Sequence, residues 1–338
     1  MAIINVSFII PVYNRPDEIN ELLDSFNKLD GNYDFEIVII EDGSNNCSDK
    51  IILNYSNDLN ISYYTKSNTG PGDSRNFGMK RAKGNYFIIL DSDCILPKNY
   101  LLNFFTNINH KYVDCFGGVD DSHHSFTDFQ KAVNFTMTSL ITTGGIRGGR
   151  SKYKNFQARS FNMGISKKTF ELTDGFGNIH PGEDPDLSLR ISKFNLNSQL
   201  YNNVKVYHKR RVNIVAFFNQ VFKFGMVRPI ISKWHPSSNK LTFWFPSFFT
   251  FYLLLSLILV FFKIYFPIYL VFLYLLLIFF NSLINNKSIV VGFYSIFTSL
   301  IQFVGYGLGF IKSNIILLSS NKDIEDKFPS YFFKNNVK

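Results

Sequence analysis

Two carboxylates follow a strand-like segment at a spacing of one residue. The segment YFIILDSDC, Tyr86–Cys94, gives five residues suited to a sheet interior and then Asp91 and Asp93. Two carboxylates at a strand end can hold a hard divalent cation, which prefers oxygen ligands and keeps open positions for substrate phosphates. Acidic residues at strand ends are also common turn formers. The spacing alone therefore leaves a metal site and a polar turn open.

Other apolar runs in the first half of the chain also end in polar residues. Val6–Val12, Phe35–Ile40 and Ile61–Tyr64 have the near-continuous hydrophobicity of strands with both faces covered. Stretches of helical spacing separate them, which predicts an α/β fold with a mostly parallel, doubly wound sheet. The first such stretch carries Ile19, Leu22, Leu23 and Phe26. Ligands bind outside the carboxyl ends of parallel strands. The polar residues at those ends are Tyr13-Asn14, Glu41-Asp42 and Asp91-Ser92-Asp93.

The last third of the chain is strongly apolar. Three stretches there are close to the roughly 20 residues that cross a bilayer as a helix. They are Leu241–Phe262, Ile264–Ile284 and Ile289–Ile311. We predict a globular domain over residues 1–235, a membrane region over 236–312 with two to three helices, and a polar tail over 313–338. Three full crossings would place the basic tail outside the cytosol, against the positive-inside tendency, so the third stretch could instead lie in the interface.

The charge of the chain, +9 overall, is unevenly distributed. Carboxylates outnumber basic residues up to Asp186, whereas Leu187–Phe262 contains no Asp or Glu. A basic segment before the membrane predicts contact with anionic lipids or phosphate-bearing ligands, and it places this side in the cytosol. Nucleic-acid binding is not indicated, because the aromatic residues here lie in apolar runs and not among the basic ones.

The start of the chain and its cysteines bear on localisation. The opening MAIINVSFII lacks the basic region of a signal peptide, and the three cysteines show no CxxC spacing. We therefore expect a multi-pass protein of the cytoplasmic membrane, with the globular domain on the cytosolic face and its cysteines reduced.

Several segments, taken in order, resemble the family 2 glycosyltransferases of the GT-A type. They are IPVYN at 10–14, EDGS at 41–44, NTG at 68–70, SRN at 74–76, DSD at 91–93 and GEDPDLSLR at 182–190. The resemblance covers about residues 5–211, and its specificity comes from the ordered set. It implies the GT-A nucleotide-diphospho-sugar transferase fold and inverting transfer of a sugar from a nucleotide-diphosphate donor, with a UDP-sugar favoured.

The resemblance also implies roles for individual residues. Asp42 would bind the nucleobase or ribose, Asp91 and Asp93 would hold Mg²⁺ or Mn²⁺ against the diphosphate, and Asp184 would be the general base. An alternative for Asp184 is a helix N-terminus, where acidic residues complement the dipole. The remaining donor-side residues would be Pro11, Tyr13, Asn14, Glu41, Arg75 and Ser92, and the acceptor-side residues Asn162, Met163, Gly164 and Glu183.

Three polar clusters complete the set of candidates. His208, Lys209, Arg210 and Arg211 could bind the diphosphate, with His208 as a further metal ligand, although a lone histidine is more often a structural hydrogen-bonding group. The loop 143–150 is glycine-rich and cationic, and it predicts either a lid or acceptor-phosphate clamp, or an ordinary linker. The cluster Asp120-Asp121-Ser122-His123-His124 could hold a metal ion, but a polar turn is the favoured interpretation.

One departure from the family narrows the expected reaction. Processive members carry Gln-x-x-Arg-Trp before the membrane, whereas this chain has Gln220-Val221-Phe222-Lys223-Phe224. Lys lacks the planar fork of Arg, so transfer of a single sugar to a lipid-linked glycan or polyprenyl phosphate is expected. The alternative is a non-catalytic membrane scaffold that binds a nucleotide sugar or lipid phosphate. A nucleotidyltransferase is less favoured, because no early Gly-rich phosphate loop followed by Arg is present.

Overall fold

The computed structural model describes residues 3–144, 156–319 and 322–333. These described residues divide into two compact units, each of which is discontinuous in sequence. The first unit lies within 1–121, 152–208 and 329–338, and the second within 122–151 and 209–328. The chain therefore leaves the first unit after His208 and returns to it at Pro329. The sequential boundaries at residues 235 and 312 stay a prediction.

The first unit is built on one sheet. Within the described residues its eight strands are β1 (Val6–Val12), β2 (Phe35–Asp42), β3 (Ile61–Lys66), β4 (Tyr86–Leu90), β5 (Cys94–Ile95), β6 (Cys115–Asp121), β7 (Asn162–Ser166) and β8 (Ser198–His208). The strand order is β3-β2-β1-β4-β7-β6-β8-β5. The half from β3 to β4 is parallel, as predicted. The other half is mixed, because β7 runs antiparallel to both neighbours and β5 runs antiparallel to β8.

Helices connect these strands and form most of the second unit. Across the described residues they are α1 (Pro16–Asn27), α2 (Asp49–Leu53), α3 (Pro71–Arg81), α4 (Tyr100–His110), α5 (Asp128–Thr138), α6 (Leu140–Thr143), α7 (Lys167–Thr173), α8 (Glu183–Lys193), α9 (Ile214–Trp234), α10 (Phe245–Phe261), α11 (Phe266–Asn286), α12 (Ile289–Ser319) and α13 (Ile324–Lys327). Short 3-10 turns lie at Pro236–Ser238, Leu241–Trp244 and Pro329–Tyr331.

The core of the first unit follows from the hydrophobic pattern. Every residue of β1 is buried, and α1 buries the predicted apolar face. That face consists of Ile19, Leu22, Leu23 and Phe26, which pack in one cluster with β1, β4 and α4 residues. A second cluster, which includes Val38, Ile40 and Leu187, covers the opposite side of the sheet. Because both faces are covered, the polar strand ends are left at the edge of the sheet.

The second unit contains the apolar helices. Among the residues that the structure describes, four helical segments are long and apolar enough to cross a membrane. They are Ile214–Trp234, Leu241–Phe261, Phe266–Asn286 and Ile289–Ser319. The last three correspond to the apolar stretches predicted from the sequence. Helix α9, with Lys223, Arg228 and Lys233, was instead predicted to be part of the basic segment before the membrane.

Helices α9 and α12 approach each other unusually closely. A Cβ atom on Gly225 would lie 2.1 Å from the carbonyl oxygen of Tyr306, and one on Gly309 would lie 2.2 Å from that of Phe222. Glycine is therefore required at both positions for the backbones to meet. Small residues at helix contacts are typical of membrane proteins, where close van der Waals packing drives association. The pair supports the interpretation of this unit as a membrane region.

Candidate functional site

The pairing of β5 with β8 brings Asp93 and His208 together. Cys94 lies opposite His208 in this antiparallel pair. As a result, the Nε2 atom of His208 is 3.1 Å from the Oδ1 atom of Asp93. Ligand bonds of about 2.1 Å at right angles around Mg²⁺ separate neighbouring ligand atoms by about 3.0 Å. The two atoms therefore have the spacing needed to share one octahedral ion.

Cys94 lies beside this pair but does not fit such an ion. Its Sγ atom is within 4.8 Å of ligand atoms of Asp93 and His208. Burial, reinforced by the charges of Asp93 and Asp91, raises the pKa of the Cys94 thiol well above its ordinary value. The protonated thiol donates a hydrogen bond to the carbonyl oxygen of Phe161 at 3.4 Å. Mg²⁺ and Mn²⁺ prefer oxygen ligands and bind thiols poorly, so Asp93 is the better candidate, with the imidazole nitrogen of His208 as a second ligand beside it.

Arg15, which was not predicted as a site residue, and Asp120, which was interpreted as part of a polar turn but lies in β6, contact this pair. The Nη1 atom of Arg15 is 2.9 Å from the Oδ2 atom of Asp93. On the other side, the Oδ2 atom of Asp120 is 3.7 Å from the Nδ1 atom of His208. A carboxylate behind a histidine orients the ring and fixes which nitrogen faces the ligand. Asp120 lies near the end of β6. A position at a strand end is the signal that singled out Asp91, and the same signal could have indicated Asp120 as a site residue.

Arg75 joins the predicted metal side to the predicted base side. Its guanidinium is buried, and it donates to Asp91 Oδ1 at 2.7 Å and to Glu183 Oε1 at 3.0 Å. Burial lowers the pKa of Arg75, but the charges of Asp91 and Glu183 outweigh this and raise it. The end of β4 and the start of α8 are thus held by one permanently charged group.

Helix α8 begins with the two acidic residues of the predicted acceptor side. Burial raises the pKa of Glu183, but the neighbouring His180 and Arg75 outweigh it and lower the pKa to about 2. Glu183 is therefore ionised at neutral pH and engaged in holding Arg75. Asp184 follows it, and its Oδ2 atom is 3.6 Å from the Nη1 atom of Arg159, a contact that the sequence did not indicate. Both predictions for α8 are compatible, since the acidic residues lie in its first turn.

Asp42, at the end of β2, is held by the loop before α3. Its Oδ1 atom accepts hydrogen bonds from the Lys66 ammonium at 2.6 Å and from the Thr69 N–H at 3.0 Å. Its Oδ2 atom accepts one from the Gly70 N–H at 2.9 Å. Asp42 is thus fixed in orientation beside a basic residue. Its role in binding a nucleoside stays a prediction.

Three other predicted site residues make internal hydrogen bonds. Glu41 accepts from the Ser48 N–H and the Tyr63 hydroxyl, each at 3.0 Å. Asn14 accepts from the N–H groups of two residues in the loop after β2. Asn162 is fully buried in β7, where it accepts from the Tyr100 hydroxyl at 2.7 Å. These contacts shape the strand ends and the sheet interior.

The remaining predicted residues are spread over both units. Pro11, Ser92, Met163 and Gly164 are buried in the first unit, and Tyr13 is exposed there. Lys209, Arg210 and Arg211 belong to the second unit, where Arg210 is buried and donates to Asn134 Oδ1 at 2.9 Å. Of the predicted lid loop 143–150, residues 145–150 lie outside the described residues.

Comparison with known proteins supports the fold and the family. Residues 7–171 match the family model described as Glycosyl transferase family 2. An uncharacterised glycosyltransferase of Rickettsia typhi is 35% identical over 127 residues, which cover 36% of this chain and 39% of that protein. The poly(ribitol-phosphate) beta-N-acetylglucosaminyltransferase TarS of Staphylococcus aureus is 34% identical over 111 residues, 32% of this chain and 19% of that protein. The matches span well under half of the length of these curated relatives.

A solved structure gives the corresponding result for the fold. The mannosyltransferase PcManGT of Pyrobaculum calidifontis, in complex with GDP-Man and Mn²⁺, is similar with a TM-score of 0.51 at 16% identity. The similarity covers 65% of this chain and 61% of that one. The mixed sheet with acidic strand ends is thus a GT-A-type α/β domain. Residues 7–171 thus carry a Glycosyl transferase family 2 domain, which confirms the resemblance and the fold class predicted from the sequence.

Proposed function

We propose that this protein is an inverting glycosyltransferase that moves a sugar from a nucleotide-diphosphate donor, with a UDP-sugar favoured, to a membrane-associated acceptor. The observation that carries the proposal is the contact of Arg75 with both Asp91 and Glu183. Asp91 follows β4, where carboxylates could bind a cation and a diphosphate. Glu183 begins α8, next to Asp184, which could act as a general base. Arg75 connects these two places. Both belong to one unit, so the two halves of the reaction share a site.

On the donor side, the protein would hold the nucleoside at Asp42 and the diphosphate near Asp91 and Asp93. Asp93 and His208 would hold Mg²⁺ or Mn²⁺, with Asp91 close in sequence as a further oxygen ligand. A bound cation would neutralise the charge of the leaving diphosphate. Arg15 and Arg75, which contact Asp93 and Asp91, add positive charge on the protein's side.

On the acceptor side, Asp184 would act as the general base. The bond from the sugar C1 to the diphosphate oxygen breaks while a bond from C1 to the acceptor oxygen forms on the opposite face. When the acceptor is a hydroxyl of a lipid-linked glycan, its proton passes to Asp184, a contribution of about 100-fold to 10,000-fold. A polyprenyl phosphate would attack through an oxygen that is already deprotonated and would not need the base. Asp184 suits this role better than Glu183, because the low pKa and buried ion pair of Glu183 commit it to structure.

The acceptor would be a lipid-linked glycan or a polyprenyl phosphate. The support is the second unit, whose four apolar helices would keep the protein in the cytoplasmic membrane, with the GT-A domain on the cytosolic face. The names of relatives leave the sugar open, since TarS is an N-acetylglucosaminyltransferase and the structural neighbour was solved with GDP-Man.

The test is nucleoside diphosphate release by the full chain in lipid vesicles. The donors are UDP-glucose, UDP-galactose, UDP-N-acetylglucosamine and GDP-mannose, each with Mn²⁺ and with or without a native lipid extract that supplies lipid-linked glycans and polyprenyl phosphates. The proposal predicts release from one donor that requires the lipid acceptor and stops when EDTA removes the metal. Binding of a donor without release under any of these conditions would favour the non-catalytic scaffold.

A further inference from the structure

The C-terminal segment Pro329–Phe333 is part of the first unit. Phe332 forms an antiparallel bridge with Ile179, in the loop before α8. The His180 N–H donates to the carbonyl oxygen of Tyr331 at 2.8 Å, next to this bridge. The tail is therefore attached by backbone contacts to the loop that precedes Glu183 and Asp184.

Phe333, at the end of this segment, covers a second loop. A Cβ atom on Gly70 would lie 2.3 Å from the ring of Phe333, so that ring occupies the space directly above the Gly70 backbone. Gly70 also has a φ of +92°, a conformation that other residues rarely adopt. The ring centroid of Phe333 is 6.2 Å from that of His180.

The two loops under the tail are those that hold the predicted donor and base residues. The N–H of Gly70 donates to Asp42. The Nδ1 atom of His180 is 3.2 Å from Glu183 Oε1, which also holds Arg75. Phe333 thus packs between the Gly70 backbone, whose N–H donates to Asp42, and the His180 side chain, which contacts Glu183.

We propose that Pro329–Phe333 is an integral part of the donor site and that Phe333 is a positioning residue for the bound nucleotide. By packing on Gly70, Phe333 holds the loop that fixes Asp42 in its binding orientation. The docking of the tail does not depend on the proposed function, whereas the role in nucleotide binding rests on it.

The docked tail also bears on whether the chain crosses the membrane an even or an odd number of times. The chain leaves the first unit after His208 and returns to it at Pro329. A folded unit built on an open sheet does not lie within the hydrocarbon of a bilayer, so the whole first unit would lie on one side of the membrane. The intervening segment would then cross the membrane an even number of times. The four apolar helices found in the described residues would allow four or two crossings, whereas three crossings would not return the tail to the first unit.

Docking of the tail can be tested by a disulfide between Ile179→Cys and Phe332→Cys. The bridge has the hydrogen-bonding pattern of a non-hydrogen-bonded pair, in which Cα atoms lie about 4.5 Å apart, within the range of disulfides. The background carries Cys47→Ser, which removes the exposed native thiol. We expect mild oxidation of the purified full chain to link the two peptides in mass spectra. The control pair, Leu53→Cys with Phe332→Cys, should not link. Equal linking of both pairs, or linking of neither, would overturn the docking.

The nucleotide role is tested by the dissociation constant of UDP with Mn²⁺. We expect Phe333→Ala to raise it on the order of tenfold, which corresponds to about 1.4 kcal/mol, because the loop that orients Asp42 loses the ring packed on it. Phe333→Leu should restore most of the affinity. The matched control Phe194→Ala, an exposed phenylalanine of the same unit, should leave it unchanged.

Two results would count against the proposal, and they differ in meaning. UDP binding by Phe333→Ala that equals wild type would overturn the positioning role and leave the proposed function intact. A wild-type protein that binds neither UDP nor GDP would contradict the proposed function, and the role of Phe333 in nucleotide binding would fail with it. The cross-link would still decide whether the tail docks.

Discussion

His208 Nε2 lies 3.1 Å from Asp93 Oδ1, although the two residues come from distant segments of the chain. The pairing of the two-residue strand β5 with the end of β8 creates this contact. Asp120 and Arg15 then approach the pair from two other strand ends. Four segments therefore converge on one carboxylate and one imidazole, and the proposed cation site rests on this convergence.

The first prediction separates Asp93 and His208 from Cys94 as metal ligands. We expect Asp93→Asn and His208→Ala each to weaken Mn²⁺ binding by at least about tenfold, because each removes a direct ligand. Cys94→Ala should leave the affinity unchanged, since burial keeps the thiol protonated. Titration of Mn²⁺ into the full chain in the presence of UDP, followed by electron paramagnetic resonance, measures the three constants. A loss of affinity in Cys94→Ala as large as that in Asp93→Asn would contradict the assignment.

The second prediction concerns the nucleoside. Asp42→Asn keeps the size of the side chain but removes the charge that faces Lys66. It also leaves the N–H of either Thr69 or Gly70, in the loop before α3, without its carboxylate partner. We expect the dissociation constant of UDP to rise about tenfold or more, corresponding to roughly 1.4 kcal/mol or more. Asp30→Asn, at an exposed position of the same unit, is the control and should bind as wild type. Calorimetric titration of both variants checks this.

The third prediction concerns pH and Glu183. Its pKa in the folded protein is about 2, against an ordinary 4.5. A carboxyl group whose pKa is lower in the folded than in the unfolded protein stabilises the fold fully at a pH above its unfolded-state pKa. This stabilisation is lost as the pH falls towards its folded-state pKa. Glu183→Gln, which breaks a buried pair, should cost about 3–5 kcal/mol at neutral pH. The difference in melting temperature from wild type should shrink between pH 4.5 and 2.

The control for this series is Glu171→Gln, at an exposed position of α7. Its melting temperature should stay close to that of wild type at every pH. A Glu183→Gln variant whose deficit is the same at pH 3 as at pH 7 would show that the charge of Glu183 does not stabilise the fold.

The parallel half of the sheet and its strand ends could be predicted from the sequence. Continuous apolar runs such as Val6–Val12 must be buried on both faces, and the helical spacing after Pro16 shows which face of α1 is buried. Asp42, Asp91 and Asp93 follow such runs directly. The positions of these carboxylates at one edge therefore follow from local pattern and from the rule for parallel sheets.

The contacts between distant segments could not be predicted in the same way. Arg159 near Asp184, Asp120 behind His208 and Phe333 above Gly70 are set by strand pairing and chain return, which leave no periodic signal in the sequence. Asn162 was assigned to the acceptor side from the resemblance, whereas its side chain lies in the interior of β7. Helix α9 was missed as an apolar helix because three basic residues interrupt its pattern.

The fourth prediction concerns the two ends of the chain. Because residues 3–121 and 329–333 belong to one unit, reporters fused before Met1 and after Lys338 should lie on the same side of the membrane. We expect green fluorescent protein to fluoresce at both ends and alkaline phosphatase to be inactive at both. Phosphatase activity at the C-terminal end alone would require an odd number of crossings and would contradict the docked tail.

The fifth prediction concerns Asp184 and tests the central claim most directly. The measurement is the rate of nucleoside diphosphate release, with the donor and lipid acceptor that wild type uses, for wild type, Asp184→Asn and the exposed control Asp174→Asn. With a glycan hydroxyl as the acceptor, loss of the general base should reduce the rate by about 100-fold to 10,000-fold in Asp184→Asn. The affinity for UDP and Mn²⁺ should stay within about twofold of wild type, because the substitution leaves the residues proposed to bind the nucleotide and the metal unchanged. Asp174→Asn should match wild type throughout. Release by Asp184→Asn at the wild-type rate would contradict the assignment of the base and, with it, the mechanism proposed for this site.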